Sequence, residues 1–352
     1  MGMKQAIGLA VLFAHATGAS ADTSYPKLHS EFTTDLQSEW GVDAERHGDE
    51  RGETYAEIEA DLEFELARHL TIEGTLLGEP VQEPAPGDDA WFEDQGVFVE
   101  ELLLTYENGP FEAVAGKFSP DYRNSREQER GIWTEDFSTE YEIVEKIGFG
   151  ASYSLGTRAF GRHSVSVNAF ANDTTALAES LGNARDERCR GDRDLSSSAF
   201  LFEGQRRFGA ITPYYQLGYR HLDACDPEGA DETGWLWRLG GALRFEPAAR
   251  VHSDLVAEAG FVEDFEGSEA DRWYWSLSSM TTIDRRWTIA VGGTLRQIAY
   301  PGRSDALDHL FQLTLGYRPR SGIRIEGGWL DFEEAGFENN VLGVLLRYRI
   351  KL

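Results

Sequence analysis

Five carboxylates fall on alternate residues of one short stretch, EIEADLEFEL: Glu57, Glu59, Asp61, Glu63 and Glu65. Residues two apart share one face of an extended strand and would scatter around a helix. Glu31 and Asp35 begin the same pattern upstream. Such a row attracts cations and tolerates only a wet or paired environment. A second group has the opposite sign: Arg123, Arg126 and Arg130, interspersed with Asp121, Glu127 and Glu129. Facing the acidic row, these arginines would set up a transverse field that orients polar solutes. Alternatively, they pair with their own acidic neighbours on a solvated loop. Covalent chemistry has less support. The sequence holds no HExxH, no GxSxG and no Gly-rich phosphate loop. His252 and Asp254 share a strand face but project in parallel, and no nearby serine motif completes a triad.

The elements that carry these residues are strands. Leu28, Phe32, Leu36 and Trp40 alternate with polar neighbours, and Ala56, Ile58, Ala60, Leu62, Phe64 and Leu66 alternate with the carboxylates. The same period recurs about every twenty residues to the end, where Leu342, Val344, Leu346, Tyr348 and Ile350 share a face. The alternation predicts strands over 27–40, 53–66, 70–79, 96–107, 111–119, 141–155, 162–172, 196–205, 211–222, 233–246, 250–262, 271–283, 286–298, 308–318, 322–330 and 340–352. Short connections, such as Asn108-Gly109 and Asp284-Arg285, alternate with long polar ones at 41–52, 80–95, 120–140, 173–195 and 223–232.

A face that is apolar at every second residue, on an even number of strands with connections of alternating length, predicts an all-β, antiparallel up-and-down transmembrane β-barrel. Sixteen strands leave an aqueous lumen rather than a packed core. On this register Trp40, Trp235, Trp273 and Trp329 form an external aromatic girdle. Tyr106, Phe245, Trp287, Tyr317 and Tyr348 form a periplasmic one. The start of the chain agrees with export. Lys4, an apolar run over 6–14 and Ala19-Ser20-Ala21 predict a signal peptide over 1–21, leaving the barrel over 22–352. Losing Lys4 takes the formal net charge from −28 to −29, which disfavours nucleic acid as a partner. Cys189 and Cys225 lack zinc or redox spacing and lie in long loops expected on the same, external side. In an oxidising compartment they are predicted to form a disulfide.

Two stretches resemble the general porins of Gram-negative outer membranes. AGKFSPDY (115–122) is similar to their fifth strand running into the third loop, and DFSTEYEIVEKIGFG to that loop returning to the wall. The last strand resembles their assembly signal, although it ends on Leu352 where the family usually has phenylalanine. The resemblance implies a third loop folded inward over about 120–140 and opposed acidic and basic clusters at a constriction. It also implies a homotrimer among outer-membrane lipid and lipopolysaccharide. The site expected from residues and resemblance together is a pore lined by Arg123, Arg126, Arg130, Glu57, Glu59, Asp61, Glu63, Glu31 and Asp35. Arg347, Arg349 and Lys351 are expected to balance Glu31 and Asp35 where the barrel closes.

The resulting reading is a porin for passive diffusion of small hydrophilic solutes and ions, with a weak cation preference. A substrate-specific channel for sugars or anions is the alternative, with Tyr214 and Tyr274 as a sugar-binding surface; an outer-membrane enzyme is a further one. No cofactor and no metal site is expected in the pore. Calcium among loop carboxylates such as Asp88, Asp89 and Glu93 stays open.

Overall fold

The computed structural model describes the chain from Tyr25 to Leu352, except residues 46–49, 83–86, 121, 123–130, 134–136, 138, 158, 186–193, 225–228 and 246–249 and the side chains of 244 and 245. The segment 1–21, the three arginines Arg123, Arg126 and Arg130, and both cysteines lie outside the described residues.

Sixteen strands follow one another: β1 (Lys27–Ala44), β2 (Gly52–Ala67), β3 (Leu70–Pro80), β4 (Gln95–Asn108) and β5 (Phe111–Phe118). Next come β6 (Lys146–Thr157), β7 (Gly161–Asn172), β8 (Ser197–Gln205), β9 (Ile211–Leu222) and β10 (Glu232–Phe245). The wall ends with β11 (Val251–Glu263), β12 (Asp271–Ile283), β13 (Trp287–Ala299), β14 (Ala306–Arg320), β15 (Ile323–Glu334) and β16 (Phe337–Lys351). Each pairs antiparallel with the next, and β16 pairs with β1, so the sheet closes and has no free edge. Two short pieces add to its rim: Ala90–Trp91 beside β2, and Leu181–Gly182 beside the start of β4.

The alternation sorts the side chains as the sequence predicts. Leu36, Trp40, Ile58, Leu62, Trp235, Trp273, Trp329, Leu342 and Tyr348 are exposed on the outer face. Asp35, Gln37, Arg238, Glu258, Arg296 and Gln312 are buried on the inner one. Tyr219, Trp235, Phe261 and Trp273 stand in one register row across four outer strands, and Trp287 packs on Tyr317 near the opposite end. Among the described residues no helix is long and apolar enough to cross a membrane, and strands do the crossing here.

At the closing seam, Arg347 binds Asp35 twice, at 2.8 Å and 2.5 Å, while Arg349 and Lys351 reach Glu31 at 2.9 Å and 2.7 Å. The basic stripe of the last strand therefore neutralises the acidic start of the first.

Several strand boundaries differ from the sequence reading, most clearly at two places. The sixth strand starts at Lys146 rather than 141, and Thr139–Tyr141 is a single 3₁₀ turn. Glu140 and Tyr141 bond to groups on β11, β12 and β13, which draws them away from the β5–β6 ladder. β15 and β16 both extend until they meet in the two-residue turn Ala335-Gly336, with φ values of 54° and 81°. Positive φ at both central residues suits a tight hairpin whose twist matches its strands. Asp308 Oδ1 accepts the Ala335 N–H at 3.0 Å and holds that turn.

Candidate functional site: the charged lumen

Three adjacent strands, β2, β3 and β4, contain no lysine or arginine. They carry Glu53, Glu57, Glu59, Asp61, Glu63, Glu65, Glu73, Glu79, Glu100, Glu101 and Glu107. On β2 and β3 every one of these carboxylates is at an inward register position, beside inward Asp35 of β1. Basic residues lie elsewhere on the wall, among them Arg220 on β9, Arg238 on β10, Arg272 on β12, Arg296 on β13 and Arg347 on β16.

Each of these arginines meets a carboxylate. Arg220 binds Glu232, Arg238 lies 3.3 Å from Glu258, and Arg296 binds Asp308 at 2.6 Å and Glu334 at 2.7 Å. Arg272 reaches Glu140 at 2.6 Å, and Arg296 also meets Glu140. With these five arginines matched, the carboxylates of β2 to β4 leave that side of the wall acidic among the described residues.

A cavity of about 1230 Å³ occupies the lumen. Asp35, Glu39, Glu53, Glu57 and Glu79 line one side; Glu140, Arg272, Arg296, Asp308 and Glu334 line another. Of the residues predicted to line a pore, Asp35 and Glu57 border this cavity. Glu59, Asp61 and Glu63 continue the inward face of β2 toward the short-turn end, and Thr75 donates to Asp61 at 2.7 Å. Glu31 is engaged at the seam.

The connection between β5 and β6 supplies contacts that sequence reasoning missed. Trp133 is 4 % exposed and donates its indole N–H to Glu39 at 2.8 Å. Its ring lies on Gly328 and Gly343, which pair directly across β15 and β16. A Cβ on Gly328 would stand 2.7 Å from the indole, and one on Gly343 would overlap it, so only a side-chain-free pair provides this hollow. Tyr122 lies on Gly218 likewise, where a Cβ would stand 2.8 Å from its carbonyl oxygen and 3.0 Å from its ring. Ile132 N–H donates to Thr314 Oγ1 at 3.2 Å, and Tyr141 donates to Glu258. The partners all belong to inward positions of the wall.

Two apolar clusters form at these contacts. Tyr122, Tyr141 and Ile143 pack with Leu236, Val262 and Phe170, while Trp133 and Phe137 pack with Leu310 and Leu330. A signal for this was present in the sequence. Leu236, Val262, Leu310 and Leu330 interrupt an inward face that is otherwise polar, and large apolar residues there require a cover.

The rim beside β4 is held differently. Lys117, 0 % exposed, donates to Glu145 at 2.8 Å and to the Leu177 carbonyl at 3.1 Å, and pairs with the Asp173 carboxylate at 3.0 Å. Burial pushes the Glu145 carboxyl up. Hydrogen bonds from Arg185 and Lys117 outweigh that and hold it below the ordinary value of 4.5.

Other candidates resolve plainly. Tyr274 is buried and donates to Glu140 at 2.5 Å, which leaves its ring no free face, while Tyr214 is half-buried and donates to Asp254 at 3.3 Å. Asp89 accepts the Gly52 N–H at 2.7 Å and ties the second long connection to β2. Among the described residues, the group whose ligand atoms gather within 4.8 Å is His221, Asp223 and Asp231, not Asp88, Asp89 and Glu93.

No protein-family model matches the sequence, and no curated protein does. Solved structures do. OmpF of Salmonella typhi, solved with daunomycin, superposes with a TM-score of 0.62 at 12 % identity, over 92 % of this chain and 98 % of its own. The outer membrane channel DcaP of Acinetobacter baumannii gives 0.56 at 11 %, over 92 % and 97 %. The trimer form of OmpT, an outer membrane protein of Vibrio cholerae, gives 0.55 at 11 %, over 93 % and 99 %. A closed sheet with an apolar outer face and a wet inner one is suited to an outer membrane. The chain has the fold of the Gram-negative outer-membrane porins.

Proposed function

We propose that this protein is an outer-membrane channel for passive diffusion of small hydrophilic solutes and ions, with a preference for cations. The supporting observation is a cavity lined by carboxylates inside a closed barrel of sixteen strands, next to three strands without a basic residue. In this reading the β5–β6 connection lies in the lumen and narrows it, anchored by Trp133, Tyr122 and Glu140. Arg123, Arg126 and Arg130 then add positive charge to the constriction. Exported after loss of residues 1–21, the protein sits among outer-membrane lipid and lipopolysaccharide as a homotrimer, the form in which OmpT of Vibrio cholerae is also known. It acts as a conduit rather than an enzyme. Cys189 and Cys225 form a disulfide; two thiols that label in denatured, unreduced protein would exclude it.

Planar-bilayer recording tests the reading. Purified protein should give ohmic conductance steps, and a salt gradient should give a reversal potential on the cation side. Absence of steps would overturn it. Steps that one sugar or anion blocks at low concentration would instead favour a substrate-specific channel.

A further inference from the structure

Arg272 and Arg296 are held by aromatic faces. The Arg272 guanidinium lies 3.6 Å from the Phe265 ring centroid, and that of Arg296 lies 4.3 Å from Phe137. Stacking fixes the plane of a guanidinium and leaves its edge donors directed. The two arginines come from neighbouring strands, and Tyr274, paired with Arg296 across the ladder, stands between them. Arg272 Nη1, Arg296 Nη1 and the Tyr274 hydroxyl all point at one carboxylate, Glu140.

That carboxylate does not belong to the wall. Glu140 comes from the β5–β6 connection, while its three donors come from regular strands and are themselves at least three-quarters buried. Asp308 and Glu334 bind the Nη2 side of Arg296 and leave Nη1 to Glu140. The Nε of Arg272 is buried without a hydrogen-bond partner among the described residues. Without Glu140, three preset donors would converge on one point that opens to the lumen cavity. Planar guanidinium edges and a hydroxyl aimed at one point suit a carboxylate.

We propose that Arg272, Arg296 and Tyr274 form an oxyanion site for carboxylate-bearing solutes, and that Glu140 occupies it as a built-in competitor. The inference rests on the channel reading, because solute reaches the site through the lumen. A solute carboxylate replaces the contacts of Glu140 one for one. Its apparent affinity is therefore reduced by the fraction of molecules in which Glu140 is bound. The occupied state keeps the cavity acidic; the vacated state exposes two arginines.

The test is succinate block of single-channel conductance. Glu140→Ala should lower the half-blocking concentration at least about tenfold, by removing the competitor. Glu140→Ala/Arg272→Ala should lose that gain. Glu140→Gln should move the reversal potential in a potassium chloride gradient toward anions. A conducting Glu140→Ala channel with wild-type sensitivity to succinate would overturn the proposal. If Glu140→Ala does not assemble, Glu140→Gln carries both measurements, and an unchanged reversal potential there refutes it equally. If wild-type protein gives no channels, the channel reading fails. Calorimetry of succinate on detergent-solubilised Glu140→Ala then decides the site by itself: binding lost with Arg272→Ala supports it, and no binding rejects it.

Discussion

Replacing Trp133 by alanine should release part of the β5–β6 connection without unfolding the barrel. The indole is 4 % exposed and makes a 2.8 Å hydrogen bond to the Glu39 carboxylate. Truncating a buried tryptophan costs about 3–5 kcal/mol, and a wet surrounding favours the lower end. A loss of about 3 kcal/mol shifts the ratio of docked to undocked states by roughly two orders of magnitude. Single-channel recording should show higher conductance or frequent transitions to a larger level. The wall strands keep their ladders, so the heat-denaturation midpoint of the barrel should move little. The glycine hollow provides a control. Gly343→Ala should reproduce the effect in wild type, because its Cβ would overlap the indole, and do nothing further in Trp133→Ala. Residues in contact couple by about 0.5–3 kcal/mol, whereas independent sites add. Unchanged conductance in Trp133→Ala, or additive effects of the two substitutions, would refute this account of how the segment is seated.

Neutralising Glu59, Asp61 and Glu63 to glutamine should move the reversal potential toward anions, since β2 to β4 offer no basic residue to compensate; no change in a barrel that assembles would place selectivity elsewhere. Lys117→Met should destabilise by about 3 kcal/mol, because it leaves buried Asp173 without its ion-pair partner while Glu145 keeps Arg185, and heat denaturation in detergent reads this. Breaking the exposed Lys27–Glu65 pair should leave the midpoint in the same assay essentially unchanged. Acid should loosen the clip at Glu145. Its folded-state pKa is depressed, so its contribution is complete above 4.5 and is lost as pH falls through the lower folded value. Channel noise should therefore rise on acidification below about pH 4.5 in wild type and lose that component in Glu145→Gln.

The wall was readable from sequence because a lipid-facing strand must alternate, and all sixteen strands announced themselves that way. The seam was readable too: Asp35 and Arg347 are the inward charges of strands that closure makes neighbours. The contacts of the β5–β6 connection with the wall were not. Glu140 and Trp133 lie in a connection without periodicity, and nothing local indicates which wall residue each will meet. Arg272 and Arg296 are single inward arginines on different strands, which only the ladder register brings together. Lys117 is the hardest case. It stands in register with outward Leu102, yet it is wholly buried, and Gly116 before it has a φ of 142° that side chains rarely adopt.

The charge ladder of the seam bears on assembly. β1 and β16 are each other's neighbours but are separated by nearly the whole chain, so until they meet both present unpaired backbone edges. Contacts so distant in sequence form late, because the loop they close is long. A slip of one residue would turn the outer face inward and is excluded by burial alone. A slip of two keeps the faces and needs another safeguard. In one direction Asp35 would face Leu345 and Arg347 would face Thr33. In the other, Glu31 would run past Lys351. Only the observed register gives Arg347, Arg349 and Lys351 their carboxylates together, so the last contact to form is also one that identifies its own correct alignment.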